Sequence, residues 1–262
     1  MPTSITVQHR QQPFQPMWAA GDFALIAPAS TIVGELLCES LDLRPGQKAL
    51  DVATGSGNTA LAAARRGCTI IGIDFVPALL EKARERAAVE RLSGIFQEGN
   101  AESIPFADAS FDVVLSTFGV MFAFDQDQAA RELLRVCRCG GKIGLTNWTP
   151  DSFMAEVQRA IMCPIPPPSG SAPPFIGHRS GLRQLLGDGV EATQITRRTL
   201  NRRYRSKHHW LDFTCNHLGP MAIAFQSLDA AQQKNLADSL LELVWRSITP
   251  AMTIFVRADY MK

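Results

Sequence analysis

The chain has 262 residues, of which 46% are apolar and 19% charged, and a formal net charge of +1. That length can bury a sizeable core as one large domain, and the near-neutral balance gives no global field for nucleic acid or a membrane surface. No window holds the ~18 uninterrupted apolar residues that a bilayer span needs. Residues 1–10 are polar, without the apolar centre of an export signal. The six cysteines, at 38, 68, 137, 139, 163 and 215, are therefore expected as packed, reduced thiols in a cytoplasmic protein. Cys137 and Cys139 form the one close pair, and no second ligand pair follows at zinc spacing, so no metal is expected.

Residues 1–29 carry Phe14, Trp18 and Phe23 but no strand pattern, and 31–41 read as a helix with apolar positions at 32, 33, 36, 37 and 41. Strands and helices then alternate. Strands are expected at 47–53, 68–74, 93–98, 111–116 and 142–146, and helices at 58–66, 77–91 and 125–138. Pro77 sits in a first helical turn, and Gly140-Gly141 ends the third helix. This alternation implies a parallel sheet covered on both faces. Beyond it lie a helix at 151–162, a proline-rich loop at 163–174, a short helical piece at 182–186 and a β-prone stretch at 190–206. Helices follow at 208–218 and 228–247, the second with Leu236, Leu240, Leu243 and Val244 in phase, and a strand at 252–257 ends the pattern.

The first strand runs into Asp51-Val52-Ala53-Thr54-Gly55-Ser56-Gly57 and then a helix. Glycine lets backbone approach a ligand at unusual dihedrals, and the next helix aims its N-terminus at the same point. A carboxylate at that strand end would repel a pyrophosphate and suits a ligand bearing an ammonium group. Asp74 ends the second strand, where its two oxygens can accept from both hydroxyls of a ribose, and Phe75 can cover one face of an adenine. Asn100, Ala101 and Glu102 follow the third strand, and Ser116 and Thr117 end the fourth. All are carboxyl ends of parallel strands, where open α/β sheets bind ligands. A nicotinamide dinucleotide oxidoreductase is the rival reading, because Gly55-x-Gly57-x-x-Ala60 satisfies that fingerprint formally; Asp51 counts against it.

These residues resemble the class I S-adenosylmethionine-dependent methyltransferases, in the branch of the ubiquinone and menaquinone C-methyltransferases and many small-molecule enzymes. Asp51, Gly55 and Gly57 match the first motif, and Asp74 matches the ribose acid. Gly99-Asn100-Ala101-Glu102-Ser103-Ile104-Pro105-Phe106-Ala107-Asp108-Ala109-Ser110-Phe111-Asp112 matches a longer signature, with Asn100 in place of the usual Asp. Arg138-Cys139-Gly140-Gly141 stands for Arg-Pro-Gly-Gly. The match covers roughly residues 30–150. It implies a Rossmann-like, doubly wound, seven-stranded and mostly parallel sheet with an antiparallel last strand. It also implies S-adenosylmethionine as cofactor, S-adenosylhomocysteine as product, and Asp51, Ala53, Thr54, Gly55, Gly57, Asp74, Phe75, Asn100, Ala101, Glu102, Ser116 and Thr117 as its binding set.

Methyl transfer needs the acceptor atom held close and in line, and a base only where a proton must leave. The turn after the fourth strand, Ser116-Thr117-Phe118-Gly119, lacks the Asn-Pro-Pro-aromatic pattern of base N-methylation and the Pro-Cys of cytosine C5 enzymes. Trp18, Phe118, Met121 and Phe122, with Phe153 and Phe175, are the expected acceptor wall and point to a small, partly apolar organic acceptor. RNA or protein is the alternative acceptor. His209 and His217, eight residues apart on one helical face, are the leading base candidates, ahead of His178 and His208. The basic run of Arg197, Arg198, Arg202, Arg203, Arg205 and Lys207 reads as protection of a sheet edge rather than a nucleic-acid site. One domain is expected: 1–45 a lid and helix, 46–150 the cofactor core, 151–250 a helical cap and edge strand, 251–262 the last strand. Assembly state leaves no signal.

Overall fold

The computed structural model describes residues 15–162, 179–247 and 254–261. Its centre is β1 (Lys48–Val52), buried at every position but the first. β1 pairs in parallel with β2 (Thr69–Asp74) on one side and β4 (Phe111–Thr117) on the other. β3 (Gly94–Glu98) extends the sheet beyond β2, and β5 (Cys137–Trp148) extends it beyond β4, both in parallel. Beyond β5 come β7 (Ile254–Met261) and then β6 (Arg197–Tyr204), giving the order β3-β2-β1-β4-β5-β7-β6. β7 runs antiparallel to both neighbours. Strand order reverses between β1 and β4, so their carboxyl ends flank the crevice where such sheets take ligands.

Both faces of the parallel part are covered, which is why its strands read as apolar runs rather than alternating ones. On one face α3 (Thr31–Ser40), α4 (Asn58–Arg65) and α5 (Pro77–Glu90) bury Leu37, Leu61 and Leu80 against Ile70, Phe96 and Val113. On the other face α6 (Gln126–Val136) sets Leu133 and Val136 against Leu50, Val52, Ile73 and Val114. Phe111 shares this second face with Val114, although odd spacing along a strand reverses the side. The register shift between Phe111 and Val113 supplies the extra residue that turns it over.

Preceding the sheet are two short helices, α1 (Gln15–Ala19) and α2 (Phe23–Ile26), and a 3-10 turn, Ala27–Ser30. Residues Phe23–Ser40 are the one stretch, among those described, with the length and apolarity of a bilayer span. In the fold that stretch breaks into three helical pieces, and Val33, Gly34, Leu37 and Cys38 of α3 are buried.

After β5 come α7 (Phe153–Met162), α8 (Arg179–Leu186) and a 3-10 turn, Gly187–Gly189. Past β6 follow α9 (Lys207–His217), α10 (Gly219–Gln226) and α11 (Ala230–Arg246). α7, α9, α10 and α11 form a cap with its own core, in which Phe153, Trp210, Met221, Leu240 and Val244 pack together.

Several elements depart from expectation. α6 stops at Val136, because Cys137 already has extended dihedrals (φ −78, ψ 130). β5 then runs through the Cys-Gly-Gly segment, where Gly140 takes φ +71. α7 starts at Phe153 rather than 151, since the Ser152 hydroxyl accepts from the Ala155 amide (3.2 Å). α10 is a helix the sequence pattern missed; only Leu218 separates it from α9, and Pro220 sits in its first turn. β7 lies a few residues later than 252–257, in register from Arg197 against Met261 to Tyr204 against Ile254. The proline loop at 163–174 lies outside the described residues.

Candidate active site

The turn after β1 is built by backbone conformation. Ala53, Gly55 and Gly57 all have positive φ, at 55°, 55° and 86°. Gly57 also packs closely, because a Cβ there would stand 3.1 Å from the Ala83 Cβ of α5. Gly55 differs: a Cβ would meet nothing within 4 Å, and the residue lines the cavity. Ala53 holds a left-handed conformation without being glycine, as does Phe118 (φ 54) after β4. Both line the cavity, in keeping with the tendency of strained backbone to gather at ligand sites.

Beneath the turn, the Thr54 hydroxyl (2.7 Å) and the Ala60 amide (3.0 Å) both donate to Asp51 Oδ2. Asp51 Oδ1 is buried without a partner. Burial pushes the Asp51 carboxyl up to about 7, opposed by those two hydrogen bonds and reinforced by the nearby charge of Asp74. Asp74 ends β2, where Oδ2 accepts from the Gly55 amide (2.9 Å) and Oδ1 from the Val76 amide (2.9 Å). Burial raises its pKa too, against these backbone bonds. Asp74 lines the cavity with these amides behind it. From behind, Arg86 of α5 donates to the Ser56 carbonyl (2.6 Å) and to Asn58 Oδ1 (2.8 Å), bracing the turn on the far side from the cavity.

One cavity of about 430 Å³ joins these strand ends to the cap. Of the expected cofactor set, Asp51, Ala53, Thr54, Gly55, Asp74, Phe75, Ala101 and Thr117 line it. Four members do not. Gly57 is set back as the residue before α4. Asn100 turns its side-chain oxygen to the Glu102 amide (2.8 Å), closing a local turn. Glu102 is buried and accepts from the Phe124 (2.8 Å) and Asp125 (3.2 Å) amides, tying this loop to the one after β4. The Ser116 hydroxyl donates to the Val52 carbonyl (2.8 Å) and accepts from the Val120 amide (3.1 Å), joining β1 to β4.

Trp18, Phe118 and Phe122 line the cap side of the cavity. Trp18 sits 4.9 Å from the Phe122 ring, and Phe118 lies flat on Trp148, centroids 3.8 Å apart. Met121 does not line it: it is 1% exposed, behind the wall with Val33 and Leu200. Phe153 is in the cap core against Trp210 (5.4 Å), while Phe175 and His178 lie outside the described residues. His209 and His217 share one face of α9, but neither lines the cavity. Phe213 between them does. His209 Nδ1 accepts from the Arg205 amide (3.3 Å), and His217 packs its ring on Phe213 and turns its carbonyl toward Gly21. His208 is exposed.

Residues 50–145 match a family described as a methyltransferase domain. An uncharacterized protein of Mycobacterium tuberculosis is 40% identical over 233 residues, covering 87% of this chain and 85% of the relative. The demethylmenaquinone methyltransferase of Deinococcus radiodurans is 35% identical over 142 residues, 49% of this chain and 59% of that enzyme. The chain belongs to the class I S-adenosylmethionine-dependent methyltransferases. In structure it is similar to the YcgJ protein of Bacillus subtilis, with a TM-score of 0.58 at 18% identity over 87% of this chain and 95% of that one. It is an enzyme of methyl transfer with S-adenosylmethionine as cofactor, which removes the ground for a nicotinamide-dependent oxidoreductase.

The turn suits such a cofactor. A buried carboxylate oxygen of Asp51 has no hydrogen-bond partner, and Gly55 leaves open space at the cavity wall. This methyltransferase also places in its cavity a residue that the sequence pattern assigned elsewhere. Arg202 belongs to the basic run expected to protect the sheet edge, yet it lines the cavity with Tyr204. Leu200, Arg202 and Tyr204 alternate with the exposed Asn201, Arg203 and Arg205. That period of two is present in the sequence, hidden by the density of arginines.

Proposed function

We propose that this enzyme methylates a small, partly apolar organic molecule in the cytoplasm. When bound, S-adenosylmethionine supplies a methyl group on a sulfonium, which passes to the acceptor by direct in-line displacement. In this reading Asp51 would hold the ammonium of the cofactor's amino-acid end, and Asp74 would hold the ribose hydroxyls. Ala53, Thr54 and Gly55 provide the backbone edge, Phe75 and Ala101 flank the adenine, and Thr117 stands at the β4 side. Gly57, Asn100, Glu102 and Ser116 hold those residues in place.

The observation that carries the acceptor class is the change of wall along one cavity. Asp51 and Asp74 stand at the strand ends. Beyond Thr117 the wall becomes Phe118, Trp148, Trp18, Phe122, Trp210 and Phe213. Such a wall favours flat or apolar molecules and excludes water from the dispersing charge of the reaction. The cap and N-terminal helices roof this half, which suits a molecule that fits within the cavity better than a polymer. The name of the Deinococcus relative points to an apolar, ring-bearing acceptor in that enzyme, and the aromatic wall supports a similar class here. With no histidine on the wall among the described residues, the arrangement favours positioning over base catalysis, and His209 and His217 serve as supports of the aromatic face.

The test is methyl transfer from labelled S-adenosylmethionine in a cell extract. Label is expected in the extractable small-molecule fraction; label chiefly in RNA or protein would overturn the acceptor class.

A further inference from the structure

We propose that the acceptor carries an anionic oxygen and that Arg202 is the residue that selects it, which rests on the small-molecule reading above. Arg202 is the one cationic residue lining the cavity among those described. Its Nη2 donates to the hydroxyl of the buried Ser30 (2.6 Å). Its guanidinium stands 6.0 Å from the Trp148 ring centroid, near the outer limit of cation–π contact. Its Nε is buried with no hydrogen-bond partner, and among the described residues no carboxylate pairs with its guanidinium. Neighbouring arginines are treated differently: Arg197, on the opposite face of the same strand, pairs with Asp151 (2.8 Å) at the surface.

A guanidinium held against aromatic walls without an anion is an unfavourable arrangement. It becomes favourable when an anion enters and accepts from the terminal Nη1, because the Nε is closed off and Nη2 is held by Ser30. The two acids of the cavity do not supply one, because Asp51 and Asp74 are already engaged at the carboxyl ends of β1 and β2. The sheet separates them from Arg202: β6 is the outermost strand on the other side, beyond β4, β5 and β7. We assign the charge of Arg202 to the acceptor half because its guanidinium stands by Trp148, on the aromatic side of the cavity. Phe118 stacked flat on Trp148 puts a planar apolar surface beside it. Together they fit a conjugated ring bearing an acidic oxygen, with carboxylate the group that matches the planar fork of arginine best. Ser30 fixes the orientation of the fork, since one of its hydrogen bonds is already made.

The measurement is calorimetric titration of the full chain, saturated with S-adenosylhomocysteine, with naphthoate and with the neutral naphthyl methanol of the same ring. Naphthoate is expected to bind about tenfold tighter or more, as a charge-assisted contact in a dry site predicts. Arg202→Met is expected to reduce naphthoate to the affinity of the alcohol and to leave S-adenosylhomocysteine binding within about twofold, while Arg202→Lys retains part of the preference. Equal affinities in the wild type, no saturable binding of naphthoate, or a preference that survives Arg202→Met would each overturn the assignment. The wild-type comparison stands even if a variant fails to fold. Loss of S-adenosylhomocysteine binding by the wild type would instead sink the cofactor placement.

Discussion

Asp51 sits in a place that disfavours the charge of its carboxyl group. Its folded pKa lies above its ordinary value of 3.8, at about 7. The group therefore stabilises the unliganded fold most below its unfolded pKa, and that contribution is lost as pH rises through about 7. An ammonium against Oδ1 reverses the preference. S-adenosylhomocysteine affinity should rise by up to about tenfold per unit as pH rises toward neutrality and level off above it, because binding below the pKa must release a proton. Calorimetry in buffers of different ionisation enthalpy reads both the affinity and the proton. Asp51→Asn should flatten the profile and weaken binding roughly tenfold or more; a wild-type affinity constant across this range would contradict the role. Asp74→Ala should also weaken binding strongly, since it removes the acceptor for both the Gly55 and Val76 amides along with the ribose site. At this scale the sequence carried the acids well, because strand ends and glycine spacing determine where they stand. It could not distinguish Asn100, Glu102 and Ser116, whose side chains turn back to local amides, from residues facing a ligand.

The N-terminal helix is placed by backbone contact rather than by side chains. A Cβ at Gly219 would lie 2.0 Å from the Met17 carbonyl oxygen, and one at Gly21 would lie 2.2 Å from that of His217. Gln15 then donates to the Phe75 carbonyl (2.5 Å) and Trp18 reaches Phe122. This contact spans the cofactor half and the acceptor half of the cavity. Gly219→Val should push α1 away from α10. Overpacking of this kind costs about 1–3 kcal/mol, and both S-adenosylhomocysteine binding and amide protection of residues 15–26 should fall while the sheet stays protected. Unchanged protection there would show that the N-terminal helices are anchored elsewhere. Neither glycine announces itself in the sequence, because no local pattern brings residues 21 and 219 together. Arg202 is a middle case: its alternation with Leu200 and Tyr204 is readable, but six cations between 197 and 207 conceal which face each takes.

The whole molecule divides where the sequence signal divides. In the parallel sheet, apolar runs and glycine turns repeat with a regular period, so residues 46–150 could be read element by element. The cap packs its helices mainly on one another, and its core of Trp210, Met221, Leu240 and Val244 comes from contacts that no local period encodes. Binding to a site shared by both parts should stabilise them together, by RT ln(1 + [L]/Kd), or about 2.7 kcal/mol at a hundredfold excess over Kd. Thermal unfolding with saturating S-adenosylhomocysteine should therefore remain one transition and move upward, by more at about pH 8 than at about pH 6. Two separating transitions would mean that the cap does not share the site. The most direct measurement is a crystal structure of the S-adenosylhomocysteine complex. The ammonium should lie on Asp51 Oδ1 and the ribose on Asp74, with the sulfur facing the Phe118–Trp148 stack and Arg202 beyond it. A sulfur turned away from that aromatic half, or an ammonium bound elsewhere than Asp51, would contradict the proposed division of the cavity.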